Sequence, residues 1–236
     1  MKFAGLLKQS LTDYPGKIAA VLFSRGCNLR CPFCHNASLV TRVSEVESIP
    51  EAEVLSFLKK RIGILDGVCI TGGEPLLQSD IESFISEIRN LGFLIKLDTN
   101  GFYPEKLASL IDRGLLDYVA MDIKNSPEKY PVTVGIPNFD SKPVFESAKL
   151  LMHGSIPYEF RTTLVREFHT NKDIEKIGRI VKGAEYYYLQ NFEDSGDIVG
   201  FAGEQDFVPL SGFSQSETEH FRDILASYVE NVKIRN

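Results

Sequence analysis

From Lys17 onward, short runs rich in β-branched and aromatic residues alternate with longer amphipathic stretches, and this alternation restricts the chain to few architectures. The runs fall at 18–23, 65–70, 93–97, 118–123, 158–164 and 185–190. Such runs suit strands covered on both faces, and helical segments between them imply parallel strands joined by crossovers. Crossovers of this kind are right-handed, so every strand would end on the same face of the sheet, where ligands bind in such folds. The expected fold is therefore α/β, a partial (β/α)6 barrel over about 17–193 in a single domain. Residues 194–212 are Gly-rich and aperiodic and read as loop, followed by a helix over about 216–229 that turns Phe221, Ile224, Leu225 and Tyr228 inward.

The helical segments carry their own boundaries. Ile81, Phe84, Ile85, Ile88 and Leu91 repeat at helical spacing and stop at Gly92. Leu107, Leu110 and Ile111 ending at Gly114, and Ile174, Ile177 and Val181 ending at Gly183, repeat the device. Ser48-Ile49-Pro50-Glu51 reads as a capping box for the helix carrying Val54, Leu55 and Leu58. With 43% hydrophobic and 25% charged residues the chain is an ordinary globular one, and a net charge of −6 without a basic run argues against a nucleic-acid partner. The apolar stretches at 3–7 and 18–23 are too short for a signal sequence or a membrane span, so a cytoplasmic location is expected.

In a reducing compartment a cysteine cluster points to metal binding or catalysis. Cys27-x3-Cys31-x2-Cys34 follows the first core strand at a Gly26 turn. Three thiolates suit an iron–sulfur cube with one iron left open to a substrate. Zinc held by these three and His35 is an alternative, although adjacent Cys34 and His35 rarely reach one ion at tetrahedral angles. Cys31-Pro32-Phe33-Cys34-His35 also matches a haem-attachment pattern, and Cys31 with Cys34 a thioredoxin-like pair. Cys69, in an apolar run, reads as packing.

The string Ser24-Arg25-Gly26-Cys27-Asn28-Leu29-Arg30-Cys31-Pro32-Phe33-Cys34-His35-Asn36 resembles the radical S-adenosylmethionine (SAM) superfamily, and within it the activases of glycyl-radical enzymes. With Asp13-Tyr14-Pro15-Gly16 ahead of it, the segment 5–193 is most similar to activating proteins of anaerobic ribonucleoside-triphosphate reductase. The resemblance implies a [4Fe–4S] cluster on Cys27, Cys31 and Cys34, with SAM on the open iron. It implies a glycyl-radical enzyme as partner, anaerobic ribonucleotide reductase first, and a low-potential donor such as flavodoxin or ferredoxin. Pyruvate formate-lyase, another glycyl-radical enzyme or a small-molecule substrate are the alternatives.

Further candidates stand at the later strand ends. Thr71-Gly72-Gly73-Glu74-Pro75 allows close backbone approach and offers an acceptor to an ammonium, and is otherwise a tight turn capped by an acid. Asp98-Thr99 and Met121-Asp122-Ile123-Lys124 place charged groups at the next two ends, where acids otherwise cap helices. By resemblance, Gly72, Gly73 and Glu74 contact the methionine amine, and Asp98, Thr99 and Asp122 ligate a monovalent cation near the SAM carboxylate. Lys124 would hold that carboxylate, and Arg161 the carboxylate or ribose. Phe33 and Asn36 would lie against SAM and Phe192 on its adenine, with ordinary core packing the alternative for Phe192. No auxiliary-cluster cysteines are present.

Overall fold

The computed structural model describes residues 1–194, 196, 198–200 and 209–235. Its contacts form two compact units, one of residues 1–28, 38–99 and 105–120, the other of 29–37, 100–104 and 121–236. Neither unit is a single stretch of sequence.

In the first unit, β1 (Lys2–Ser10), β2 (Ala19–Ser24), β3 (Ile49–Pro50), β4 (Gly67–Gly72) and β5 (Leu94–Thr99) lie in the order β3-β1-β2-β4-β5. β2 and β4 run parallel from Ala19 opposite Gly67 to Ser24 opposite Gly72, and β5 continues the parallel set. β1 is antiparallel to β2 and pairs at Lys2 and Phe3 with β3. The connecting helices are α1 (Ala37–Val40), α2 (Glu51–Lys59), α3 (Ile81–Asn90) and α4 (Pro104–Asp112). The buried stripe of α3 is Ile81, Phe84, Ile85 and Ile88, as its spacing predicts, and Gly92 takes φ 89° past its end. The expected capping box at Ser48–Glu51 does not form: Pro50 is the N-cap and no side chain caps α2. The reason is competition, since Ile49 and Pro50 are drawn into extended pairing with β1.

β6 (Tyr118–Asp122) carries the chain from the first unit into the second. There β7 (Tyr158–Leu164), β8 (Tyr186–Asn191) and β9 (Asn231–Arg235) form a parallel set in that order, with Phe160 opposite Tyr187 and Tyr186 opposite Asn231. Its helices are α5 (Tyr130–Thr133), α6 (Lys142–His153), α7 (Asn171–Ile180) and α8 (Gln215–Leu225). Thr170 with Asp173 and Ser214 with Glu217 form reciprocal capping boxes that start α7 and α8. α8 stops at Leu225, short of the expected 229, because a turn at Tyr228 leads directly into β9. The expected loop at 194–212 lies partly outside the described residues. The chain thus has an α/β fold with a mostly parallel sheet. Among the described residues no helix is long and apolar enough to cross a membrane.

Candidate cofactor site

In the first unit the chain leaves β2 at Ser24 and turns at Gly26, whose φ is 80°, into Cys27. The Gly26 amide donates to the Leu39 carbonyl at 2.9 Å. From the end of β4, the Gly73 amide donates to Ser24 O at 3.0 Å and the Glu74 amide to Gly26 O at 2.8 Å. A Cβ on Gly72 would stand 2.5 Å from Ser24 N, and one on Gly73 1.9 Å from Gly26 O. The paired glycines therefore let the end of β4 lie against the backbone that presents Cys27. Glu74 is fully buried and its Oε1 accepts from the Leu76 amide at 3.0 Å and the Thr99 hydroxyl at 2.8 Å.

At the end of β5, Asp98 pairs with the Lys96 ammonium. Lys96 is buried, and its Nζ also lies 3.7 Å from Cys69 Sγ, whose thiol donates to Asp98 Oδ1 at 3.7 Å. Cys69 is thus not mere packing but part of a buried polar group. Sequence reasoning passed over Lys96, although its two-residue spacing from Asp98 puts both on one side of the strand.

In the second unit, Cys31 and Cys34 belong to one turn, with the Cys34 amide donating to Cys31 O at 3.0 Å. The turn is braced from two directions. The Arg30 amide donates to Val134 O at 2.9 Å, and Gly200 and Val199 amides donate to Pro32 O at 2.9 Å and Cys34 O at 3.2 Å. Nothing in the sequence marks Val199 and Gly200 for this. His35 Nε2 bonds to Glu193 O at 2.8 Å and its ring stacks on Phe192 at 5.5 Å, an arrangement that suits a structural imidazole better than a zinc ligand. Phe192 is itself buried, and Phe33 packs 5.9 Å from Phe168. Asn36 is half-buried just before α1.

Asp122, at the end of β6, is clamped by two cations. Lys124 Nζ donates to Oδ2 at 2.8 Å and Arg161 Nε, from β7, to Oδ1 at 2.9 Å. Burial alone would raise the Asp122 pKa, but the neighbouring Arg161 and Lys124 charges outweigh it and hold the carboxyl well below the usual range. Lys124 is likewise pushed up against the effect of burial, first by Asp122 and then by Cys31 and Cys34. Its ammonium lies 6.0 Å from the Phe33 ring centre. Behind it, His169, which sequence reasoning missed, approaches the Lys124 carbonyl with Nε2 at 2.9 Å and the Val165 amide with Nδ1 at 3.1 Å. Burial lowers the His169 pKa, so the ring is neutral in the fold.

These residues fit an anionic iron–sulfur cluster in chemistry. All four cysteines are free of disulfides, and a fully ionised lysine stands within electrostatic reach of two of them. The family model for the radical SAM superfamily matches residues 21–181. The chain belongs to the radical SAM superfamily. A Methanocaldococcus jannaschii protein named "Putative glycyl-radical enzyme activating enzyme MJ1227" is 32% identical over 98% of this chain and 95% of its own length. This radical SAM chain thus falls with the glycyl-radical-enzyme activating enzymes. Its fold is also that of a domain of pyruvate-formate lyase-activating enzyme from Bacteroides vulgatus, with TM-score 0.57, 17% identity, and coverage of 72% of this chain and 99% of that one. A second structure, native anSMEcpe with bound AdoMet, gives TM-score 0.61 at 18% identity over 90% of this chain and 62% of that one. The cofactors of the superfamily, a [4Fe–4S] cluster and SAM, are those of this enzyme.

Proposed function

We propose that this radical SAM activase generates the glycyl radical of anaerobic ribonucleoside-triphosphate reductase, drawing electrons from a flavodoxin or ferredoxin. The observation that carries the reading is the near full-length match to a relative named as a glycyl-radical activating enzyme. The Asp13-Tyr14-Pro15-Gly16 lead-in and the absence of auxiliary-cluster cysteines support the reductase among targets.

Cys27, Cys31 and Cys34 would hold the cluster. Bound together, cluster and SAM supply one-electron reductive cleavage of SAM, giving a carbon radical that removes a glycine Cα hydrogen. Lys124, kept cationic by Asp122, and Arg161, held in place by it, would receive the SAM carboxylate and neighbouring ribose oxygens. Gly72, Gly73 and Glu74 would border the methionine amine through their backbone. Phe33, Asn36 and Phe192 would line the nucleoside side, and Asp98 and Thr99 would complete the polar wall.

The test is electron spin resonance of the reductase after incubation with anaerobically reconstituted protein, reductant and SAM. A glycyl radical doublet on the reductase is expected. A doublet only on pyruvate formate-lyase would move the target, and SAM cleavage stimulated only by a small molecule would overturn the activase reading.

A further inference from the structure

We propose that Lys96 supplies, from within the chain, the positive charge that the family resemblance assigns to a monovalent cation at Asp98, so that this enzyme takes no such ion. The inference rests on the reading of Asp98 as part of the SAM site.

Lys96 lies in β5 between Ile95 and Leu97, and its side chain is only 3% exposed. An ammonium so placed needs an anion beside it, and Asp98 Oδ1, on a partly buried side chain, is that anion. Cys69 Sγ, 3.7 Å from Nζ, adds a soft polar neighbour on the same side of the sheet. The Thr99 hydroxyl, also expected as a ligand, directs its hydrogen to Glu74. In the other unit, Asp122 is engaged on both oxygens, by Lys124 on one and Arg161 on the other.

Each carboxylate expected to attract an ion is thus already matched, Asp98 by one resident cation and Asp122 by two. An added potassium or sodium ion at either would meet a like charge at contact distance rather than an unbalanced carboxylate. The donor set does not fit a monovalent cation. Lys96 is instead a positioning residue that holds Asp98 oriented without exchanging with solvent ions. A fixed ammonium is also tethered, so its presence does not depend on salt composition.

The test compares potassium, sodium and choline chlorides at equal ionic strength. Thermal unfolding of the full-length, cluster-free wild type is expected to be the same in all three. Lys96→Ala, which removes the ammonium and opens space beside Asp98, is expected to unfold at lower temperature in choline and to be rescued saturably by potassium or sodium. Calorimetric SAM binding to the reconstituted holoenzyme should be indifferent to the salt in wild type and stronger by at least about fivefold in potassium than in choline for Lys96→Ala. The double variant Lys96→Ala, Asp98→Asn removes both charges and should lose the ion dependence. A saturable rise in wild-type unfolding temperature or SAM affinity with potassium or sodium would overturn the proposal, whether or not the variants fold. So would a Lys96→Ala protein as stable as wild type and indifferent to salt. Absence of SAM binding in every salt would instead remove the SAM-site reading and leave the unfolding result to decide on Lys96.

Discussion

A methyl group at Gly73 would collide with the carbonyl of Gly26, immediately before Cys27. Gly73→Ala is therefore expected to cost about 2–3 kcal/mol, the upper part of the range for forced overpacking, and to lower the unfolding temperature by roughly 5–10 °C. Because the displaced backbone presents Cys27, iron content after reconstitution should fall as well. A variant that reconstitutes fully would show that the close approach serves only stability. His169 acts at the same scale through pH. It is neutral in the fold and protonates more readily in the unfolded chain, whose ordinary pKa is 6.5. The unfolded state then binds more protons, so stability is complete above that value and is lost as pH falls below it. Asp173 and Lys129 face the ring from α7 and the segment before α5 and act in opposite directions. Urea midpoints between pH 5 and 8 should fall on the acid side more steeply in wild type than in His169→Gln; parallel curves would remove His169 from this role.

Among the elements, β9 is held by its parallel ladder to β8 and by one charged side chain. Arg235 makes two hydrogen bonds, at 2.7 and 2.8 Å, to the fully buried Glu159 of β7, and stacks 3.5 Å from the centre of the Tyr188 ring on β8. Arg235→Ala leaves Glu159 buried without this partner, and a loss of ~3 kcal/mol is expected. Adding Glu159→Gln should recover part of it, read from denaturant midpoints of the four proteins of a double-mutant cycle. Recovery of nothing would mean that β9 is held by its ladder to β8 alone. The alternation of Asn231-Val232-Lys233-Ile234-Arg235 is a strand pattern in retrospect. It escaped notice because a basic face at the end of a chain reads as solvated until a buried acid is found opposite. β1 escaped for a similar reason: Phe3–Leu7 is a weak apolar stretch, and only its antiparallel ladder with β2 makes it a strand.

For the whole molecule, the proposed reading divides the four cysteines into three ligands, Cys27, Cys31 and Cys34, and one bystander, Cys69. Cys27→Ala, Cys31→Ala and Cys34→Ala are each expected to abolish stable [4Fe–4S] incorporation and SAM cleavage, while Cys69→Ala, whose side chain pairs with Lys96 and Asp98, should keep its iron. Iron and sulfide analysis of the four variants decides the matter: loss of iron in Cys69→Ala alone would reassign the ligand set. The family assignment required both spacing and length, since the three-cysteine motif by itself also admits zinc, haem attachment and redox readings. The order of the later motifs, together with a relative matched over 95% of its own length, removes that ambiguity.

The sequence by itself determined the elements whose signals are local. The period of Ile81, Phe84, Ile85 and Ile88 specifies a helix and its buried stripe, six apolar runs mark the core strands, and the cysteine spacing together with the order of the later motifs points to the chemistry. Only the tertiary structure decided which charges meet. That Arg161 reaches Asp122 from another strand, that Cys69 joins the Lys96–Asp98 pair, and that His169 fastens the Lys124 carbonyl are contacts between segments far apart in the chain. Hydrophobic periodicity is imposed residue by residue and survives in the sequence. Electrostatic pairing depends on distance in space, which the sequence does not record.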